Sequence, residues 1–163
     1  MIRRNFLKIF GWSTAAGFVG VSCTESTKES SPKIKAESGP SQPIIVSTWK
    51  HGIEANEAAW KVIQAGGSAL DAVEKGVMVT ESDPNNQSVG LGGLPDRDGN
   101  VTLDACIMNH KGDCGAVAFL KEIENPIAVA RKVMEETPHV LLVGQGAQEF
   151  ALSQGFEKKN LLT

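Results

Sequence analysis

Two apolar stretches decide the fold of this 163-residue chain, residues 101–108 (VTLDACIM) and residues 115–120 (GAVAFL). The residues between them are polar and include Gly112, a composition typical of a turn. The two stretches are therefore predicted to be neighbouring strands. Residues 44–49 (IIVSTW) are β-branched and apolar, which predicts another buried strand. Three strands joined by tight turns would form an antiparallel sheet.

Helical patterns lie on both sides of these strands. One helix is predicted to begin at Asn56 as its N-cap and to stop at Gly66. Ser68 is predicted to cap a second helix, and Pro126 is predicted to open a third that ends at Glu136. A last helix is predicted over residues 145–154. Helices before and after an antiparallel sheet indicate an α+β fold.

Composition excludes several classes of function. The chain has a net charge of -3 and a pI near 5.6, so it lacks the basic surface that nucleic-acid binding requires. Its three cysteines are too few for a disulfide scaffold. We therefore expect no nucleic acid among its partners.

Motifs for metals and cofactors are incomplete. The glycine-rich residues 90–93 are not followed by the Lys-Ser/Thr pair of a phosphate loop. Residues 96–100 (DRDGN) resemble half of a calcium loop without its later glutamate, so a turn is the preferred interpretation. The three histidines have no metal-ligand spacing, and Cys106 and Cys114 form no Cys-x-x-Cys pair. No metal and no cofactor are predicted.

The first 22 residues resemble an export signal. Arg3 and Arg4 precede Phe6-Leu7-Lys8 and an apolar stretch too short to span a membrane comfortably. Two interpretations remain, a twin-arginine leader and an ordinary secretory signal that contains two arginines. Either interpretation implies an exported, periplasmic protein.

Cys23 and the residues after it suggest a tether. Cys23 follows a small residue at the end of the apolar stretch, which is typical of a lipoprotein processing site, although an incidental cysteine fits as well. Residues 23–43 are rich in Ser, Lys, Glu and Pro and are predicted to be a disordered tether, which would hold residues 44–163 near a membrane if Cys23 is lipidated.

The whole of residues 44–163 resembles the beginning of the glycosylasparaginases. The resemblance rests on many short matches in the same order and spacing, among them residues 47–49 (STW), 56–60 (NEAAW), 66–74 (GGSALDAVE), 92–96 (GGLPD), 129–134 (VARKVM) and 137–144 (TPHVLLVG). This family implies a four-layer αββα sandwich of the N-terminal-nucleophile hydrolase type, of which this chain would form the N-terminal half.

The resemblance also implies a chemistry. Members of the family cut their own precursor before a threonine, whose hydroxyl then attacks a side-chain amide while its α-amine takes the proton. The implied substrate is the amide between N-acetylglucosamine and asparagine, or else asparagine or an isoaspartyl dipeptide. A non-enzymatic exported lipoprotein module that keeps only the scaffold is the alternative. The segment with the nucleophilic threonine is absent from these 163 residues, so the chain by itself is predicted to be inactive. Its expected partner is the β chain of the same precursor, in an oligomer of αβ units.

Four residues match positions near the family's active site. Trp49 matches a tryptophan that lines the substrate pocket, and Thr48 and Ser88 match hydroxyls beside the nucleophile. His51 stands where relatives have a phenylalanine, and either a place in the pocket wall or a solvent-facing position fits. Asp104 lies within an apolar strand and is predicted to be buried, with a structural hydrogen bond as its role.

Overall fold

The computed structural model describes residues 42–163. The predicted export signal and Cys23 lie outside the described residues, as does nearly all of the predicted tether. None of the helices within residues 42–163 combines the length and the apolar character that crossing a membrane requires.

The described chain begins with two helices, α1 (Gly52–Gln64) and α2 (Ala69–Glu81), which pack against each other. Gly66 ends α1 in the left-handed conformation that a glycine adopts without strain (φ 84°). The helices approach closely at Gly76, where a Cβ atom would lie 2.8 Å from the carbonyl oxygen of Ala55. A glycine is therefore required at this crossing.

Ser68 caps α2 as the sequence predicted. Its hydroxyl accepts a hydrogen bond from the Asp71 backbone N–H, and the Asp71 carboxylate accepts one from the Ser68 backbone N–H. This reciprocal arrangement satisfies two of the donors that the first turn of a helix leaves unpaired. The Ser68 and Arg131 hydrogen bonds lower the pKa of Asp71 to about 2.

The start of α1 differs from the prediction. The helix begins at Gly52, and His51 rather than Asn56 holds the N-cap position. A backbone turn starts the helix, because the N–H of Gly52 donates to the carbonyl of Trp49 at 2.9 Å. Asn56 is consequently an internal residue of α1, and the prediction that it caps the helix was wrong.

A sheet of three strands follows, composed of β1 (Leu103–Met108), β2 (Cys114–Leu120) and β3 (Leu141–Val143) in the order β1-β2-β3. The first two strands pair antiparallel, as predicted, whereas β3 pairs parallel to β2. The sheet is therefore mixed, and the prediction of an antiparallel sheet was wrong in this respect. The cause is α3 (Pro126–Glu136), which carries the chain across the sheet so that β3 starts at the same end as β2.

The predicted strand at residues 44–49 does not form. Ile44 and Val46 are more than four-fifths exposed, and residues 43–47 run beside α1 and α2 without pairing to a strand, while Thr48 and Trp49 belong to the bend before α1. A strand needs a neighbouring strand to receive its backbone hydrogen bonds, and the backbone groups within a helix are already paired. The β-branched composition of this segment is therefore not sufficient to form a strand among the described residues.

The core lies between one face of the sheet and α3. Val117 of β2 packs with Val129 and Val133 of α3, all nearly inaccessible to solvent. Gly115 of β2 lies so close to α3 that a Cβ atom would come within 2.6 Å of the Met134 backbone nitrogen. The last helix, α4 (Gly144–Ser153), buries its alanines against the same core.

The other face of the sheet is apolar and uncovered within the described residues. Cys106, Ala116 and Leu141 are adjacent across the three strands, as are Ala118 and Val143. Met108 is 65% exposed, Leu141 50% and Val143 55%, so large apolar side chains on this face contact solvent. We refer to the surface formed by these apolar side chains of β1, β2 and β3 as the open sheet face (Cys106, Met108, Ala116, Ala118, Leu141 and Val143).

Asp104 lies at an irregularity in the pairing of β1 and β2. Its carboxylate accepts a hydrogen bond from the backbone N–H of Phe119 at 2.8 Å, and Phe119 has a positive φ of 54°. The predicted structural hydrogen bond is confirmed. The predicted burial was wrong, because side chains alternate along β1 and Asp104 lies on the same exposed side as Cys106 and Met108.

Candidate active site

The predicted site residues Thr48, Trp49 and His51 lie on the turn that leads into α1. Trp49 is 73% exposed and Thr48 is exposed, while His51 is half-buried. The Trp49 and His51 rings lie nearly parallel, with an interplanar angle of 8° and centroids 6.3 Å apart. The Trp49 ring is therefore held beside His51 and remains accessible at the surface.

Ser88 lies on a second turn, which follows α2. The carboxylate of Asp83 accepts hydrogen bonds from the Asn85 backbone and side chain, and the Asn86 side-chain oxygen accepts one from the Ser88 backbone N–H at 2.9 Å. These local bonds set the backbone of the turn. The Ser88 hydroxyl is thereby displayed at the surface.

The two turns face each other across one groove. Residues Lys50, His51, Ile53 and Glu54 line one wall, and Asp83 and Asn85–Gln87 line the other. His51 thus lines this groove, and Ser88 directly follows the opposite wall. The structure brings these two predicted residues to the same region, with Trp49 stacked on His51 at its edge.

Asn86 is a candidate residue that the sequence interpretation missed. Its side-chain nitrogen is buried and has no hydrogen-bond partner among the described residues. A buried unpaired donor is costly, so an acceptor from a bound molecule or another segment would stabilise it. The turn-forming composition of residues 83–86 was the only signal for it in the sequence.

Behind the Ser88 turn lies a buried carboxyl group, Glu81, which the sequence also gave no reason to single out. It is 1% exposed, and burial raises its pKa to about 7, although hydrogen bonds from Ile127 and Asn125 oppose the increase. Its backbone carbonyl accepts a hydrogen bond from the N–H of Leu91 at 2.7 Å. Glu81 therefore supports the loop on which Ser88 lies.

Within residues 42–163, no cluster of three or more His, Cys, Asp or Glu side chains is placed to hold a metal ion. The turn at residues 96–100 uses its carboxylate internally, since Asp96 accepts hydrogen bonds from the backbone N–H groups of Asp98 and Asn100.

Comparison with known proteins defines the class. A family model described as Asparaginase matches residues 37–163, and asparaginases are amidohydrolases. The chain belongs to the asparaginase family.

The individual relatives are more specific. The chain is 56% identical, over 99% of its length and 46% of the relative's, to an N(4)-(beta-N-acetylglucosaminyl)-L-asparaginase of Elizabethkingia miricola. It is 51% identical to the protein of the same name from Rattus norvegicus, over 74% of the chain and 35% of the relative. A plant-type L-asparaginase of Thermococcus kodakarensis is 49% identical over 68% of the chain and 36% of the relative. The resemblance to glycosylasparaginases is confirmed, and the chain spans less than half the length of these relatives.

Proposed function

We propose that the chain is the N-terminal part of an N4-(β-N-acetylglucosaminyl)-L-asparaginase, an enzyme that hydrolyses the amide between a glycan and an asparagine side chain. The observation that carries this proposal is the 56% identity to a relative of that name over 99% of the chain. The facing turns of His51 and Ser88, with the exposed Trp49 beside them, support a substrate site at this edge of the domain.

In this proposal the chain supplies one wall of the site and a partner segment supplies the chemistry. The nucleophilic threonine and its α-amine would come from the β chain of the same precursor, which corresponds to the part of the relatives that the present match does not cover. Thr48 and Ser88 would orient the threonine through hydrogen bonds, and Trp49 would contact the substrate.

The open sheet face supports the second half of the proposal. An apolar sheet face that contacts water is unfavourable, and packing a second sheet against it at about 10 Å would bury it. We propose that the β chain provides this second sheet, which would produce the four-layer αββα sandwich, and that the αβ units associate further.

The preferred substrate distinguishes the glycosylasparaginase branch of the family from the L-asparaginase branch. Identity to a plant-type L-asparaginase reaches 49%, so free asparagine is the competing substrate. The test expresses the complete precursor and measures aspartate release from N-acetylglucosaminyl-asparagine and from asparagine. The proposal expects a higher kcat/KM for the glycosylated substrate. Preference for asparagine would favour the other branch, and an authentic stop after residue 163 would favour a non-enzymatic module.

A pair of tryptophan variants tests the site. Trp49→Ala is expected to raise KM by roughly tenfold and to leave precursor cleavage nearly unchanged. The reason is that the lost ring would contact the substrate rather than the peptide bond at which the precursor is cut. Trp60→Ala is the matched control, since Trp60 is also an exposed tryptophan but lies on α1 beyond the site. Equal KM values for the two variants would contradict the assignment of Trp49.

We further propose export of the precursor in its folded form and anchoring through Cys23. Replacement of Arg3 and Arg4 by lysine is expected to retain the protein in the cytoplasm, because a twin-arginine leader requires both arginines. Cys23→Ser is expected to release it from the membrane fraction, because the acyl chains are lost. Export that survives the first change, or a wild-type protein that is wholly soluble in the periplasm, would contradict the respective proposal.

A further inference from the structure

Glu81, the last residue of α2, provides hydrogen-bond acceptors for the start of α3. Its Oε1 atom accepts a hydrogen bond from the backbone N–H of Ile127 at 3.0 Å, and its Oε2 atom accepts one from the Asn125 side-chain nitrogen at 3.3 Å. Asn125 holds the N-cap position of α3 but makes no capping bond with its own side chain. The Glu81 carboxyl group at the end of α2 therefore accepts a backbone hydrogen bond that an N-cap side chain of α3 would otherwise accept.

The backbone of the same residue holds the loop after Ser88. The Leu91 N–H donates to the Glu81 carbonyl, and Gly90 lies against the Glu81 backbone so closely that a Cβ atom would overlap it. The next glycine, Gly92, donates its N–H to the carbonyl of Leu161 at 2.8 Å. One buried residue thus contacts both the loop and the start of α3.

The charges around Glu81 leave it without a cationic partner in the described residues. Glu74, on the same helix, is paired with Arg131 of α3, and Asp83 in the following turn is bonded to Asn85. No ion pair within residues 42–163 includes Glu81. Amide donors partly stabilise an ionised carboxylate at this position, but its removal from water is not compensated by an opposite charge.

We propose that Glu81 is a proton-linked positioning residue. It holds the Ser88 loop and the start of α3 together when it is protonated, and these contacts weaken when it ionises. We call the contacts of Glu81 with Leu91, Asn125 and Ile127 the joint. The proposal rests on residues 81–91 and 125–127 and is independent of the proposed amidase activity. A protonated Oε2 can donate to the Asn125 side-chain oxygen after that amide flips. The Ser82 hydroxyl, which accepts from the Asn125 side-chain nitrogen at 3.1 Å, can then donate to the same oxygen, so protonation need not cost a hydrogen bond.

The direction of the pH effect follows from linkage. Burial raises the pKa of Glu81 to about 7, whereas the solvated group in an opened joint titrates near 4.5. The closed joint therefore holds its proton more tightly than the open one, and the joint weakens as pH rises through 7. With these two values, the opening equilibrium increases roughly tenfold between pH 6 and pH 8.

Hydrogen–deuterium exchange of the full chain, read by mass spectrometry at micromolar concentration, tests this. After correction for the intrinsic exchange rates, protection of the segments around Leu91 and Ile127 is expected to fall roughly tenfold from pH 6 to pH 8. Protection of the β2 segment around Val117 is expected to change less, because the joint opens locally. In Glu81→Gln, which keeps the shape of the side chain and cannot ionise, the pH effect at Leu91 and Ile127 should vanish.

Glu74→Gln is the matched control, since Glu74 lies on the same helix and is partly buried in an ion pair. It should retain the pH effect. Protection at Leu91 and Ile127 that is equal at both pH values in the wild type would overturn the proposal, even if Glu81→Gln failed to fold. Persistence of the effect in Glu81→Gln, or an equal loss at Val117, would overturn it as well, because the titrating group or the opening unit would then be a different one.

Discussion

At the scale of single residues, Gly90 and Gly99 separate two reasons for a glycine. Both have positive φ angles, 67° and 83°. A Cβ atom on Gly90 would overlap the backbone of Glu81, whereas a Cβ atom on Gly99 would meet nothing within 4 Å. Conformational strain is common to both positions, and close packing is specific to Gly90.

Alanine substitution of these two glycines therefore has different expected costs. Gly99→Ala should lower the free energy of unfolding by about 1 kcal/mol, the strain of a left-handed alanine. Gly90→Ala should lower it by about 3 kcal/mol, because the backbone of Glu81 must also shift. Urea denaturation of the two variants measures the difference. Equal costs would mean that the loop after Ser88 does not pack against α2 as described.

At the scale of elements, α2 is linked to α3 by charged side chains in addition to Glu81. Arg131 of α3 bonds to Asp71 and Glu74 of α2 and to Glu135 of its own helix, at 2.7–2.8 Å. The hydrogen bonds that Arg131 donates to these carboxylates keep its pKa above the usual range despite partial burial, so the guanidinium stays charged. Asp71 participates in both this cluster and the cap of α2.

The cap of α2 gives a prediction for that element. Ser68→Ala should destabilise the chain by about 1 kcal/mol, whereas Ser68→Gly should cost only a few tenths, because glycine is itself a tolerated N-cap. Since the folded pKa of Asp71 lies below its unfolded value, its contribution is present above pH 3.8 and is lost as pH falls towards 2. Thermal melts at pH 7 and pH 2 should show the Ser68→Ala effect shrink at the lower pH. A constant difference would contradict the reciprocal cap.

At the scale of the whole molecule, the open sheet face is the feature that a partner would change. At roughly 25 cal/mol per Å², even a few hundred Å² of apolar surface corresponds to several kcal/mol. This is comparable with the stability of a small domain, about 5–15 kcal/mol. Such a face contributes most to stability when another sheet covers it.

The isolated chain is therefore expected to bind a hydrophobic dye through this face. Combining Met108→Lys with Val143→Lys should reduce dye fluorescence at least severalfold, because both side chains are on the open sheet face. Leu152→Lys is the matched control, since Leu152 is exposed on α4. In the complete precursor the double variant should impair assembly and the control should not. Dye binding that the control removes equally well would place the apolar surface elsewhere.

The sequence by itself determined the elements whose causes are local. The Ser68–Asp71 cap, Pro126 at the start of α3 and the polar turn between β1 and β2 depend on residues a few positions apart, and all three formed as predicted. The same sequence also carried enough ordered matches to indicate the asparaginase family.

Only the tertiary structure decided the features that depend on distant neighbours. Residues 44–49 have strand composition but no paired strand, β3 is parallel because α3 returns the chain to the same end of the sheet, and Glu81 is buried because the start of α3 packs over it. The groove between the turns of His51 and Ser88 likewise joins two segments, residues 50–54 and 83–87, that are distant in the sequence. Hydrogen-bond pairing and desolvation act between groups that are close in space, and local composition does not specify which distant groups those are.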